Sequence, residues 1–162
     1  MRKDTWIDDC RQWCRQVKHL AEEMEWSEKP SHSGWLEATC LLLDDRRVTI
    51  PHLYLKGEYQ TGRMSDRVTY ALMYKEGKEK RRVFMLEVWP DHVRSHKFKD
   101  GTILFGPHVH LGDYRLAEIT RKVRASISNA TEQRWVERFV RHARIHSGRG
   151  VVCSPFADDL FG

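Results

Sequence analysis

The chain has 162 residues, 40% of them apolar and 31% charged, with six Trp, six Phe and five Tyr. These values fit one globular domain large enough to bury a core, and the aromatic content excludes a disordered chain. The formal net charge is +5, which argues against a mimic of nucleic acid, because such a protein needs dense acidic residues. No apolar run approaches the roughly 20 residues that span a bilayer, and the charged opening Met1-Arg2-Lys3-Asp4 lacks a signal-peptide core. A cytoplasmic protein with no membrane partner is expected.

Residues 5–26 read as an amphipathic helix. Trp6, Ile7, Cys10, Trp13, Cys14, Val17, Leu20, Ala21 and Met24 recur at helical offsets, and Thr5 is placed to cap its start. A loop containing Pro30 ends this first part, residues 1–33. Cysteines 10 and 14 are spaced for a helix face rather than for zinc, and no C-x-x-C pair exists. Together with Cys40 and Cys153 they are expected to be reduced thiols.

Residues 34–112 read as an antiparallel sheet of five to six strands. An apolar run at 35–43 is closed by the charged turn Asp44-Asp45-Arg46-Arg47. The next strand, 48–59, carries Pro51, which suggests an edge or a strand start. Alternation of Val68, Tyr70, Leu72 and Tyr74 marks a half-buried strand, and 82–89 returns as its hairpin partner across Glu76-Gly77-Lys78. Residues 90–107 break the regularity, with a tight turn at Asp100-Gly101. A short strand, His108-Val109-His110-Leu111, follows Gly106-Pro107.

Residues 113–162 hold an ambiguous stretch at 116–127 and a helix expected over 130–146, capped by Asn129 with Glu132. They end in a loosely docked tail. The helix buries Trp135, Val136, Phe139, Val140 and Ala143 and carries Arg134, Arg138, Arg141 and Arg144 on its other faces. Between positions 115 and 149 nine basic residues face three acidic ones, a net of +6. That asymmetry points to nucleic acid, or to an acidic protein or nucleoprotein, with those four arginines as the contact. The whole reads as one α+β domain: N-terminal helix, antiparallel sheet, and basic C-terminal helix packed on one face.

Four of the nine histidines fall between 92 and 110. In a strand, His108 and His110 project to the same side. Such a pair serves three chemistries. It can hold a metal with His92, His96, Asp91 or Asp113 as third ligand. It can act as general acid and base on a phosphodiester, with Lys97, Arg94 or Lys99 facing developing negative charge. It can also be structural, donating to backbone carbonyls. There is no G-x-x-x-x-G-K-[ST], G-x-G-x-x-G or G-x-S-x-G, which removes the P-loop, Rossmann and nucleophile-elbow classes. A third histidine of the histidine-triad pattern and the H-x-T/S pairs of two-histidine phosphoesterases are absent as well.

The segment resembles a family of small uncharacterised proteins of bacteria and their phages. The shared pattern is an apolar strand (83–89), a histidine loop (His92 or His96), the Lys99-Asp100-Gly101 turn, and Gly106-Pro107-His108-Val109-His110. Tyr114-Arg115-Leu116-Ala117 departs from the Trp-Ala-type segment that usually follows. The resemblance implies a phage or mobile-element setting and brings no activity with it. Two functions are therefore expected. The first is a metal-independent, cofactor-free ribonuclease or phosphodiesterase using His108 and His110 with His92 or His96, and Lys97. The second is a non-enzymatic inhibitor or adaptor, for instance of a bacterial defence or CRISPR nucleoprotein complex, that binds through its basic surface.

Overall fold

A computed structural model describes residues 5–60, 67–90, 92–97, 100–112 and 132–146. The expectations placed on 116–127, Asn129, Cys153, Asp91, Lys99, Asp113 and the tail lie outside these residues. The class is α+β: two helices, α1 (Trp6–Arg15) and α2 (Glu132–Ala143), and a mostly antiparallel, curled sheet. The strands are β1 (Lys18–Leu20), β2 (Ser27–Glu28), β3 (Trp35–Leu43), β4 (Thr49–Gln60), β5 (Arg67–Glu76), β6 (Glu79–Val88), β7 (Arg94–Lys97), β8 (Ile103–Phe105), β9 (His108–Leu111) and β10 (Ile145–His146). Eight form one sheet in the order β10-β1-β3-β4-β5-β6-β9, with β2 also on β3. The other two, β7 and β8, form a separate ribbon. The sheet is thus larger than the five to six strands expected from the sequence. No helix among the described residues is long and apolar enough to cross a membrane.

The alternating apolar residues of β3–β6 all fall on one face. The cross-strand rows Cys40–Leu55–Leu72–Phe84 and Ala38–Gly57–Tyr70–Leu86 follow directly from the registers. Helix α2 packs on this inner face, with Phe139 against Tyr70 and Phe84 at ring separations of 5.8 and 5.7 Å. Trp6 and Cys10 of α1 join the same core. The stretch of strands that reads most regularly in the sequence is therefore the hydrophobic floor under both helices.

Four further expectations need correction. The first helix ends at Arg15, eleven residues short of 26, because Gln16 is extended (φ −67°, ψ 129°). Lys18 turns back so that its ammonium donates to the Trp13 carbonyl and, at 2.5 Å, to that of Gln16. The freed segment becomes β1, paired with β3 and, in parallel, with β10. Nor does Thr5 cap α1 through its side chain; its carbonyl instead accepts from the Asp9 N–H. At the other end, α2 stops at Ala143, because Arg144 adopts φ 48° and sends Ile145–His146 into that ladder.

Pro51 marks neither a sheet edge nor a strand start, since β4 is central and begins at Thr49. The register jumps from Leu41↔Tyr54 to Leu43↔Thr49, and β5 pairing begins at Leu53. Pro51 therefore sits in a bulge that takes up the missing N–H, and His52 beside it has φ 67°.

Candidate metal centre

Strand β6 alternates across the sheet. Phe84 and Leu86 enter the core, so Met85 and Glu87 stand on the outer face. Strand β9 pairs with it at Met85↔His110 and Glu87↔His108, which sets both histidines of the H-x-H on that outer face beside the Glu87 carboxylate. The irregular segment of the sequence forms the β7–β8 ribbon, whose tip turn is tied by Asp100 accepting the Thr102 N–H at 2.9 Å. Its base is held by the Gly106 N–H bonded to the Val93 carbonyl at 3.0 Å. Gly106 has φ 72°, a conformation that glycine adopts without cost. The ribbon brings His96 onto the β9 pair.

The four side chains converge. Nε2 of His96 lies 3.1 Å from Nε2 of His108 and 3.2 Å from Nε2 of His110. The nearer Glu87 oxygen lies 2.6 Å from His108 Nε2, 3.2 Å from His110 Nε2 and 3.7 Å from His96 Nε2. The three rings stand at 75–88° to one another with centroids 4.7–4.8 Å apart. His108 and His110 are buried, while the His96 side chain is 37% exposed and opens the cluster to solvent.

The protonation pattern is partly fixed by a neighbour. A carbonyl can only accept, so His108 Nδ1–H donates to the Gly106 oxygen, 3.0 Å away. Its other nitrogen, Nε2, then faces the His96 nitrogen and the carboxylate, all of them electron-rich. The lone pair of His108 Nε2 thus lies 2.6 Å from a carboxylate oxygen, a juxtaposition that a shared cation relieves. Burial pushes the Glu87 carboxyl up, but hydrogen bonds and positive charge from His108 and His110 outweigh it and hold the group well below the usual carboxylate range. Burial pulls His96 and His110 down, with His108 and Arg82 adding to the effect. At neutral pH the site therefore presents a carboxylate and at least two neutral imidazoles.

The spacing of His96 to the other two histidines matches a shared ion, while Glu87 stands closer to His108 (2.6 Å) and farther from His96 (3.7 Å) than donors on one tetrahedral ion would. Donors about 2.0–2.1 Å from one metal lie about 2.9 Å apart at a right angle and about 3.4 Å apart at the tetrahedral angle. The two His96 contacts, 3.1 and 3.2 Å, fall between these values. All four donor atoms lie within 4.8 Å of one another. Imidazole suits zinc, iron, copper or nickel, and the carboxylate widens the set to manganese.

Of the residues that the sequence nominates, His96, His108 and His110 meet. His92 is exposed in the turn before β7 and Lys97 is exposed at its end, both outside the converging set. On α2, Arg134 and Arg141 are exposed and Arg138 is half-buried; beyond it, Arg144 is exposed and donates to the Arg15 carbonyl at 3.3 Å. Because α2 covers the inner face, this arginine surface lies on the opposite side of the sheet from the histidines. Glu87 is the member of the converging set that sequence reasoning misses. Its signal is present all the same: it is the one charged residue in the run Val83-Phe84-Met85-Leu86-Glu87-Val88. A depression of about 550 Å³ on the outer face, lined by Thr39, Tyr54, Lys56, Lys75 and Lys80 among others, contains none of the four converging residues. Comparison of the chain with protein-family models, curated proteins and solved structures finds no match.

Proposed function

We propose that this chain is a metalloprotein whose His96, His108, His110 and Glu87 hold one divalent transition-metal ion. We further propose that the centre acts on phosphodiester bonds of nucleic acid. The observation that carries the metal is the gathering of three imidazole nitrogens and one carboxylate oxygen within 4.8 Å of one another. The reading takes the place of the metal-independent acid–base pair expected from the sequence, because His108 Nδ1 is committed to Gly106 and its Nε2 faces other donors rather than open space.

A bound ion of this kind polarises a phosphoryl oxygen and lowers the pKa of a coordinated water. The chain supplies the rest. His108 and His110 are set by the β6–β9 register, the Gly106 carbonyl orients His108, and the half-exposed His96 side leaves an approach. Nucleic acid is favoured as substrate by the net charge of +5 and by the exposed Arg94 and Lys97 on the strand that carries His96.

The test is titration of chelator-stripped protein with Zn²⁺, Mn²⁺ and Co²⁺, followed by cleavage assays on RNA and DNA with each ion. One equivalent bound, lost in His108→Ala and Glu87→Gln, with ion-dependent cleavage, is the expected result. Absence of stoichiometric binding overturns the metal centre; binding without cleavage leaves a metal site and overturns the nuclease.

A further inference from the structure

The ribbon that delivers His96 has a second face. In the β7–β8 register Arg94 is paired with Phe105 and Lys97 with Ile103, whereas His96 is paired with Leu104; the register shifts between Arg94 and His96. Paired residues share a face, so His96 and Leu104 face the sheet, and two cation–apolar pairs face outward. Arg94 and Lys97 are exposed. Phe105 and Ile103 are 40% and 43% exposed, two of only four large apolar side chains this exposed among the described residues.

A ribbon of two short strands gains nothing in stability by presenting an aromatic ring and an isoleucine to water. The pairing of each with a cation has a recognisable use. Single-stranded nucleic acid offers base faces that stack on an aromatic ring and, one step along, phosphates that pair with Arg or Lys. A duplex offers the phosphates but keeps its bases stacked inside.

From this we infer that the outer face of the β7–β8 ribbon is a binding surface for single-stranded nucleic acid. Phe105 is the stacking platform, and Arg94 and Lys97 are the phosphate contacts. The inference deepens the preceding reading by naming the substrate as single-stranded, and it rests on that reading for the connection to cleavage. Binding itself does not need the ion, because none of the four outward residues is a ligand. The occupant is chosen by charge: the two cations stand directly beside the two apolar groups, with no acidic residue among the four.

The experiment is fluorescence anisotropy of a labelled 12-nucleotide oligo(U) and oligo(dT) with the full chain, at several salt concentrations. Phe105→Ala should weaken binding about tenfold, the scale of one lost base stack. The double variant Arg94→Glu/Lys97→Glu should abolish it at 150 mM salt. Where residual binding can be measured at low salt, the slope of log affinity against log salt should be shallower by about two phosphate contacts. His108→Ala/His110→Ala should bind as the parent does, which separates this surface from the metal centre: a parent chain that binds the oligonucleotides but does not cleave them with any ion counts against the nuclease reading alone. The inference is overturned by equal affinity for a duplex of the same length or by ribbon variants that bind like the parent. It is equally overturned if the parent is captured by vesicles of one part phosphatidylserine to three parts phosphatidylcholine and not by the oligonucleotides. Circular dichroism of each variant guards against unfolding, which substitutions at these exposed positions should not cause.

Discussion

The two faces of strand β6 solve opposite problems. Its inner side chains, Phe84 and Leu86, are buried with Tyr70, Leu72 and Phe139, and neither of the two carries a polar group. Its outer side chain Glu87 sits with three imidazoles, two of them buried, so that four potential metal-ligand groups lie within 4.8 Å of one another. One face therefore gathers apolar side chains into the core, and the other gathers titratable ones into a cluster. The contrast teaches that a residue one position along the same strand can belong to a different energetic regime, and each regime can be perturbed separately.

The largest effect should come from the inner face. Phe139→Ala removes the ring that stacks on Phe84 and leaves a cavity under α2, at an expected cost of about 3–5 kcal/mol in denaturant unfolding. Affinity for metal, measured below the unfolding transition, should stay close to the parent's. A variant that loses stability by less than about 1 kcal/mol would show that the inner face is not the principal core.

Next comes the outer face. An ion at a hundred times its dissociation constant should raise unfolding free energy by about 2.7 kcal/mol through preferential binding to the native state. Glu87→Gln and His108→Ala should remove that increment while changing the stability of the metal-free protein far less than Phe139→Ala does. An increment that survives both substitutions would place the ion elsewhere.

A smaller inner-face effect is expected at Gly57, where an added Cβ would come within 2.5 Å of the Trp26 ring. Gly57→Ala should cost about 1–3 kcal/mol by overpacking, readable as a lowered melting temperature, with the metal increment unchanged. Full tolerance would mean that Trp26 swings away freely.

This contrast also explains how much of the molecule is legible in its sequence. Strands β3 to β6 can be read because local alternation and charged turns specify them, and their inner face needs only apolar residues. The end of α1 cannot. Leu20 and Met24 continue the helical spacing, and what makes 18–20 a strand is its pairing with β3 on one side and, on the other, with β10, whose Ile145 meets Lys18 from far along the chain. Within the site, His108 and His110 share a face by strand geometry alone. The choice of His96 over His92 depends on how the ribbon folds back, which no local pattern encodes. Glu87 is readable as a lone charge in an apolar run, yet its role emerges only from its register with His108.

Lys18 sharpens the comparison, because with His108 and His110 it makes up the buried polar side chains among the described residues. It lies on the inner side and finds its partners within its own neighbourhood, the carbonyls of Trp13 and Gln16. Burial pulls its ammonium from the ordinary 10.5 down to about 8, with Cys14 opposing and Arg144 adding to the shift. Between those two values the unfolded chain keeps a proton that the folded chain has released, so stability rises with pH over that window. Lys18→Met lacks this linkage. The parent should therefore gain about 1 kcal/mol on Lys18→Met between pH 7.5 and 9 in paired denaturant titrations. Cys14, whose thiol burial raises to about 11, is present in both proteins and largely cancels. A difference that stays flat with pH would mean that the two carbonyls hold Lys18 charged throughout. The inner face would then contain a charge satisfied entirely by backbone, in contrast to the outer face, where the backbone satisfies only one nitrogen of His108 and the other faces His96 and Glu87.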